Sequence, residues 1–165
     1  MLSAVCATQS YNRERRIAPQ TKAVSAPAGT AKPVATAGHA IKSGSKIVAL
    51  ACSTGGPKAL IPYLPKNLDA PMVLVQHMPA GFTKSMADRL DEVSPIHVKE
   101  AEDGDVLMKG TVYIAPGGKH MEVKRQPDGS HRIRLNDMPA IGGLKPCANI
   151  TYDSLRDCGY DQVVS

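Results

Sequence analysis

The sequence predicts an α/β fold: a doubly wound, mostly parallel sheet carrying an antiparallel β-hairpin insertion. Three observations predict it. Two continuous apolar runs, "KIVALA" (46–51) and "APMVLVQHM" (70–78), read as strands covered on both faces. A helical pattern, "TKSMADRLDEV" (83–93), follows the second of them. Further on, "MEVKR" and "HRIRL" flank a "PDGS" turn, a hairpin signal.

Taken in order, the elements begin after residue 45. Residues 17–45 are rich in Ala, Pro, Thr, Ser and Gly and show no periodicity. That composition cannot bury enough apolar surface to offset chain entropy, so residues 1–45 read as a flexible basic linker or tail. Residues 1–16 are too few for a domain. The expectation is a fragment, or a chain with a partner domain upstream. Lys46–Ala51 is the first strand. "PKALIPYL" (57–64) opens with a proline suited to a first helical turn, while Pro62 and Pro65 keep that helix short. The second strand follows at 70–78. The helix over 83–93 sets Met86, Leu90 and Val93 at helical spacing, with Thr83 or Ser85 as caps. "IHVKEA" (96–101) is a third, shorter strand. Residues 110–137 read as successive strands forming an antiparallel insertion or sheet edge. "PCANITYDSLRDC" (146–158) reads as a helix with Ile150, Leu155 and Cys158 inward, and "YDQVVS" as a strand just begun.

Composition narrows the function classes. Of 165 residues, 42% are hydrophobic, but there is one Phe and no Trp, so the core is aliphatic. The formal charge of +5 is unevenly spread. Residues 1–46 hold seven Lys/Arg against one Glu, whereas residues 47–165 hold thirteen against fourteen acids. The basic character therefore belongs to the tail. Without interleaved aromatics that tail argues against nucleic-acid binding. No secretory signal or membrane-length apolar run is present. Cys6, Cys52, Cys147 and Cys158 form no C-x-x-C pair, which argues against a zinc ribbon and fits free thiols in the cytoplasm. No motif asks for a metal or another cofactor.

The chemistry gathers where strands end. In doubly wound sheets ligands bind beyond the carboxyl ends of the strands, and Ser53 stands there in "VALACSTGGPKAL". Thr54, Gly55 and Gly56 make a sharp turn that lets a ligand approach the backbone. The helix start after it offers unpaired N–H groups to a resting anion or to a transient oxyanion. A serine hydroxyl needs a base to become a nucleophile. His77 ends the second strand in "VLVQHM", so neighbouring strands would project Ser53 and His77 from one sheet edge. An unperturbed imidazole titrates near neutral pH and suits proton transfer. The sequence Ala51-Cys52-Ser53-Thr54-Gly55 is a relaxed G-x-S-x-G, but an α/β-hydrolase places its acid between serine and histidine. That fold is a poor fit. His39, His97, His120 and His131 fall in the linker, strands or turns. His120, beside the glycine turn in "PGGKHM", is the hardest of them to dismiss.

Four segments together, "ACSTGGPKAL", "VLVQHMPAGFT", "VKEAEDGD" and "VYIAPGGKHM", resemble the chemotaxis-type protein-glutamate methylesterases, the CheB family, in that family's order. The resemblance spans residues 46 to about 158. It implies hydrolysis of γ-glutamyl methyl esters on the cytoplasmic helices of chemoreceptors, and it allows deamidation of receptor glutamines. It implies a Ser-His-Asp triad with Ser53 as nucleophile and His77 as general base. Thr54, Gly55 and Gly56 would shape the turn and the oxyanion region. Residues 46–165 would then be the N-terminal portion of a methylesterase catalytic domain. The chain departs from the family in three ways. Ala51 stands where a glycine is common. The glycine-rich G-M-G-x-D-G-type turn bearing the triad aspartate is missing, and Asp153, Asp157 and Asp161 lie upstream of its place. The usual N-terminal receiver domain is also missing. The alternative reading is a non-catalytic, truncated fragment that binds an anion or a receptor helix through the 53–57 turn.

Overall fold

The computed structural model describes residues 46–52 and 55–164. The tail, Ser53 and Thr54 therefore lie outside the described residues. Five strands form one parallel sheet: β1 (Lys46–Cys52), β2 (Met72–Gln76), β3 (His97–Glu100), β4 (Thr111–Ile114) and β7 (Gln162–Val164), in the order β3-β4-β2-β1-β7. The strands β5 (His120–Arg125) and β6 (His131–Asn136) form a separate antiparallel pair. Three helices complete the described residues: α1 (Gly56–Leu60), which continues into a 3₁₀ turn over Ile61–Tyr63, α2 (Phe82–Val93) and α3 (Ala148–Arg156).

The strand–helix alternation and the hairpin match the expected class. One segment of the expected insertion sits elsewhere. Residues 111–114 belong to the parallel sheet, wedged between β3 and β2. All four residues of β4, and all five of β2, are buried. A strand buried on both faces fits only the interior of a covered sheet.

Strand alternation sorts the core into two layers. Ile47, Ala49, Val73, Val75 and Tyr113 face one side, where Met121, Val123 and Ile133 of the hairpin and Leu155 of α3 cover them. Met72, Leu74, Val98, Val112 and Ile114 face the other, under Ile61 and under Ala87 and Leu90 of α2. The period of two along each strand makes this division.

Helix α3 is fixed to β5 by polar contacts as well as packing. Thr151 Oγ1 donates to the Met121 carbonyl (2.7 Å), and Ser154 Oγ accepts the Val123 N–H (2.9 Å). Leu155 and Cys158 are buried as the sequence suggests, while Ile150 is half-buried and Thr151 takes the inward place. Helix α2 buries Thr83, Ala87 and Leu90. Its cap differs from expectation. Gly81, at φ 87°, occupies the N-cap with no side-chain bond, and Thr83 lies inside the first turn. A left-handed residue is needed at Gly81, and glycine adopts it without a Cβ penalty.

Candidate active site at the sheet's carboxyl edge

Strands β1 and β2 are parallel neighbours, and Cys52 pairs with Gln76 in register. The chain thus leaves both strands at the same level, and adjacent strands lie about 4.8 Å apart. Ser53 and Thr54 follow Cys52 but lie outside the described residues. What flanks them is tight. Gly55 has φ 85°, and a Cβ on Gly56 would stand 2.8 Å from the Cys52 Cβ. The turn between strand and helix therefore requires glycine twice, once for backbone conformation and once for space.

His77 is exposed at the end of β2. Beside it runs an open groove of ≈ 690 Å³, lined by Pro57, Gln76, Met78, Phe82 and Met86 among others. Phe82 is 62% exposed, a large apolar surface left uncovered beside the histidine. Gln76, at the groove wall, is buried, and its Oε1 has no hydrogen-bond partner among the described residues. Burial raises the Cys52 thiol above its ordinary range, so this cysteine stays protonated at neutral pH. Burial also raises Tyr152, whose hydroxyl reaches the backbone of Ala51 beside the turn.

The other histidines separate cleanly from this edge. His120 is buried: Nδ1 accepts the Cys147 N–H (3.1 Å) and Nε2 donates to the Pro139 carbonyl (3.1 Å). Those partners occupy both nitrogens, which gives His120 a structural role. His131 is buried too, bonded to the Cys158 carbonyl (2.7 Å) and stacked on Tyr160 at 4.3 Å. His97 is an exposed partner of Asp91 (2.9 Å). It is the histidine paired with a carboxylate among the described residues; His77 has no such pair there. No group of three or more His, Cys, Asp or Glu able to hold a metal occurs among the described residues. No helix among them is long and apolar enough to cross a membrane.

Three residues that sequence reasoning passed over shape the loop carrying His77. Gly117, in the loop after β4, lies so close that a Cβ there would be 2.5 Å from the carbonyl oxygens of Met78 and Pro79. Its N–H donates to Thr83 Oγ1 (3.0 Å), whose own hydroxyl donates to Glu100 Oε1 (2.5 Å). The glycine pair in "APGGKH" was the visible signal for Gly117. Nothing in the sequence distinguished Thr83 from a helix cap.

Comparison with known proteins agrees with this arrangement. The family described as CheB methylesterase matches residues 48–165. The chain is 51% identical over 112 residues to a protein-glutamate methylesterase/protein-glutamine glutaminase of Geobacillus kaustophilus, covering 66% of this chain and 32% of that protein. It is 48% identical over 116 residues to the Bacillus subtilis protein of the same name, covering 68% and 32%. The chain thus spans about a third of the length of these curated relatives. The crystal structure of the Thermotoga maritima CheB methylesterase catalytic domain superposes with a TM-score of 0.65 at 44% identity, covering 74% of this chain and 67% of that one. A parallel sheet with a detached hairpin, glycines around the first strand's end, a histidine at the second strand's end and a family match across nearly all the described residues converge on one assignment: the chain belongs to the CheB methylesterase family.

Proposed function

We propose that this chain carries the nucleophile and general base of a protein-glutamate methylesterase acting on methylated chemoreceptors. The observation that carries the proposal is the in-register pairing of β1 and β2, which ends both strands, at Cys52 and Gln76, on one edge of the sheet. In this reading His77 takes the Ser53 hydroxyl proton as the oxygen attacks the γ-carbonyl of a glutamyl methyl ester. This reading gives the oxyanion of the tetrahedral intermediate the backbone N–H groups of Gly55 and Gly56 as donors. Collapse expels methanol, which receives the proton from the imidazole, and leaves a glutamyl ester on Ser53. His77 then deprotonates a water that cleaves this ester, releasing the glutamate carboxylate and restoring serine. A glutamine substrate follows the same steps with ammonia as leaving group.

In this reading the third triad member is an aspartate on a glycine-rich turn, a motif that residues 1–165 do not contain. The substrate segments are receptor helices on the cytoplasmic side. The described cysteines, all free thiols, support a reducing compartment. Losing a triad aspartate costs about 10⁴ in rate in a serine protease. The 165-residue chain alone should accordingly turn over slowly.

The test is methanol release from a methylated receptor cytoplasmic fragment, run beside labelling with a fluorophosphonate probe. Release and labelling that both disappear in Ser53→Ala, with release lost in His77→Ala, support the reading. Saturable receptor binding without release or labelling, unaffected by His77→Ala, replaces it with the non-catalytic binding fragment.

A further inference from the structure

We propose that Glu100 and Thr83 are positioning residues for His77, acting through the backbone of the loop that bears it. The proposal rests on the methylesterase reading for its meaning but not for its test.

His77 is exposed, and among the described residues no hydrogen bond fixes its ring. The imidazole is carried by the backbone of residues 77–81, the short connection between β2 and α2, so the course of that connection sets where the ring stands. Three neighbouring segments hold that connection. The Phe82 N–H closes it onto the Pro79 carbonyl (3.3 Å). Gly117 presses its Cα against the Met78 and Pro79 carbonyls, leaving no room for even a methyl group. Thr83, fully buried, joins Gly117 to Glu100.

The donor arithmetic makes this chain directional. A threonine hydroxyl has one proton. Here it goes to the Glu100 carboxylate at 2.5 Å, so the oxygen is left to accept the Gly117 N–H at 3.0 Å. A hydrogen bond to a carboxylate is shorter and stronger than a neutral one. The polarised hydroxyl in turn is a better acceptor for Gly117. The three members come from the ends of β3 and β4 and the start of α2, so the carboxyl edges of three neighbouring strands are tied together around the histidine loop. This also explains why Thr83 does not cap α2: its hydroxyl is engaged across the sheet edge, and Gly81 replaces it at the cap.

The experiment follows the His77 Cε1–H resonance by NMR, together with amide exchange of Gly117 and residues 78–82, in the full 165-residue chain. Thr83→Val keeps the shape and removes the hydroxyl. The expected result is a shifted or broadened His77 signal and at least tenfold faster exchange of Gly117, both restored in Thr83→Ser. Glu100→Gln, which keeps an acceptor but not the charge, should give a smaller change of the same kind. Thr151→Val removes a buried threonine hydroxyl from the opposite layer and serves as the control. If methanol release is measurable, Thr83→Val lowers kcat about tenfold with KM within twofold. A folded Thr83→Val protein whose His77 signal and loop exchange match the parent overturns the proposal. So does a Thr151→Val protein that moves the His77 signal equally, or a failure of Thr83→Ser to restore it. Should Thr83→Val not fold, Glu100→Gln decides on the same two readouts. Methanol release that survives Ser53→Ala sinks the methylesterase reading and leaves the NMR comparison to decide this one.

Discussion

A histidine's neighbours decide what it can do, and the sequence shows few of them. His77 was legible because it ends an apolar run, and a strand end is where a sheet presents chemistry. His120 resisted dismissal because its glycine turn resembled a site loop. In the fold it is buried at the start of β5 with both nitrogens bonded. The two should separate by experiment. His120→Ala removes a buried ring and leaves the Cys147 N–H and the Pro139 carbonyl unpaired, a loss of about 2–4 kcal/mol. His77→Ala, on the surface, should stay within about 0.5 kcal/mol of the parent. Urea denaturation of both variants makes the comparison. Gly117→Ala forces a Cβ against two backbone oxygens, and about 1–3 kcal/mol of stability should go, measured the same way. Steric pressure of that kind has no sequence signal beyond the glycine itself.

At the scale of elements, the long periodic pieces were readable and the partnerships were not. The sequence 83–93 announces a helix by its spacing, and Leu90→Ala should cost about 2–5 kcal/mol because the residue is buried against the sheet. The segment 110–114 announces a strand, but not that its partners are β2 and β3. Pairing depends on long-range packing, and the hairpin signal just downstream drew it into the wrong sheet. The hairpin itself carries an acid-sensitive part. Hydrogen bonds from the Ser130 hydroxyl and N–H hold Asp128 below its ordinary value. For Glu122 burial pushes upward, but bonds from Lys124 and Asn136 outweigh it and the carboxyl is lowered. Lowered native values mean that this stability is fully present above the unfolded values, about 3.9 and 4.3, and is lost as pH falls through the native ones. Amide exchange across β5 and β6, corrected for its intrinsic pH dependence, should therefore show less protection below about pH 4. Asp128→Asn should flatten part of that decline. A hairpin whose protection is unchanged down to pH 2 would contradict the assignment.

The whole molecule joins a basic segment to a domain of nearly balanced charge. Thirteen Lys/Arg against fourteen acids over 47–165 leave the positive charge with the first 46 residues. Deleting residues 1–45 should abolish retention on a heparin column at low salt, because nonspecific polyanion binding follows the local density of Lys and Arg. Retention that survives the deletion would locate a basic face on the domain. Among the described residues β7 pairs with β1 at one side of the sheet, with Val163 and Val164 48% and 56% exposed. The division of the core into two layers has a practical consequence. The groove and α2 lie on one side of the sheet, while the hairpin and its exposed turn at Pro127–Asp128 cover the other. A fluorophore or surface tether placed on that turn would report on the protein, or hold it down, with the groove beside His77 left open.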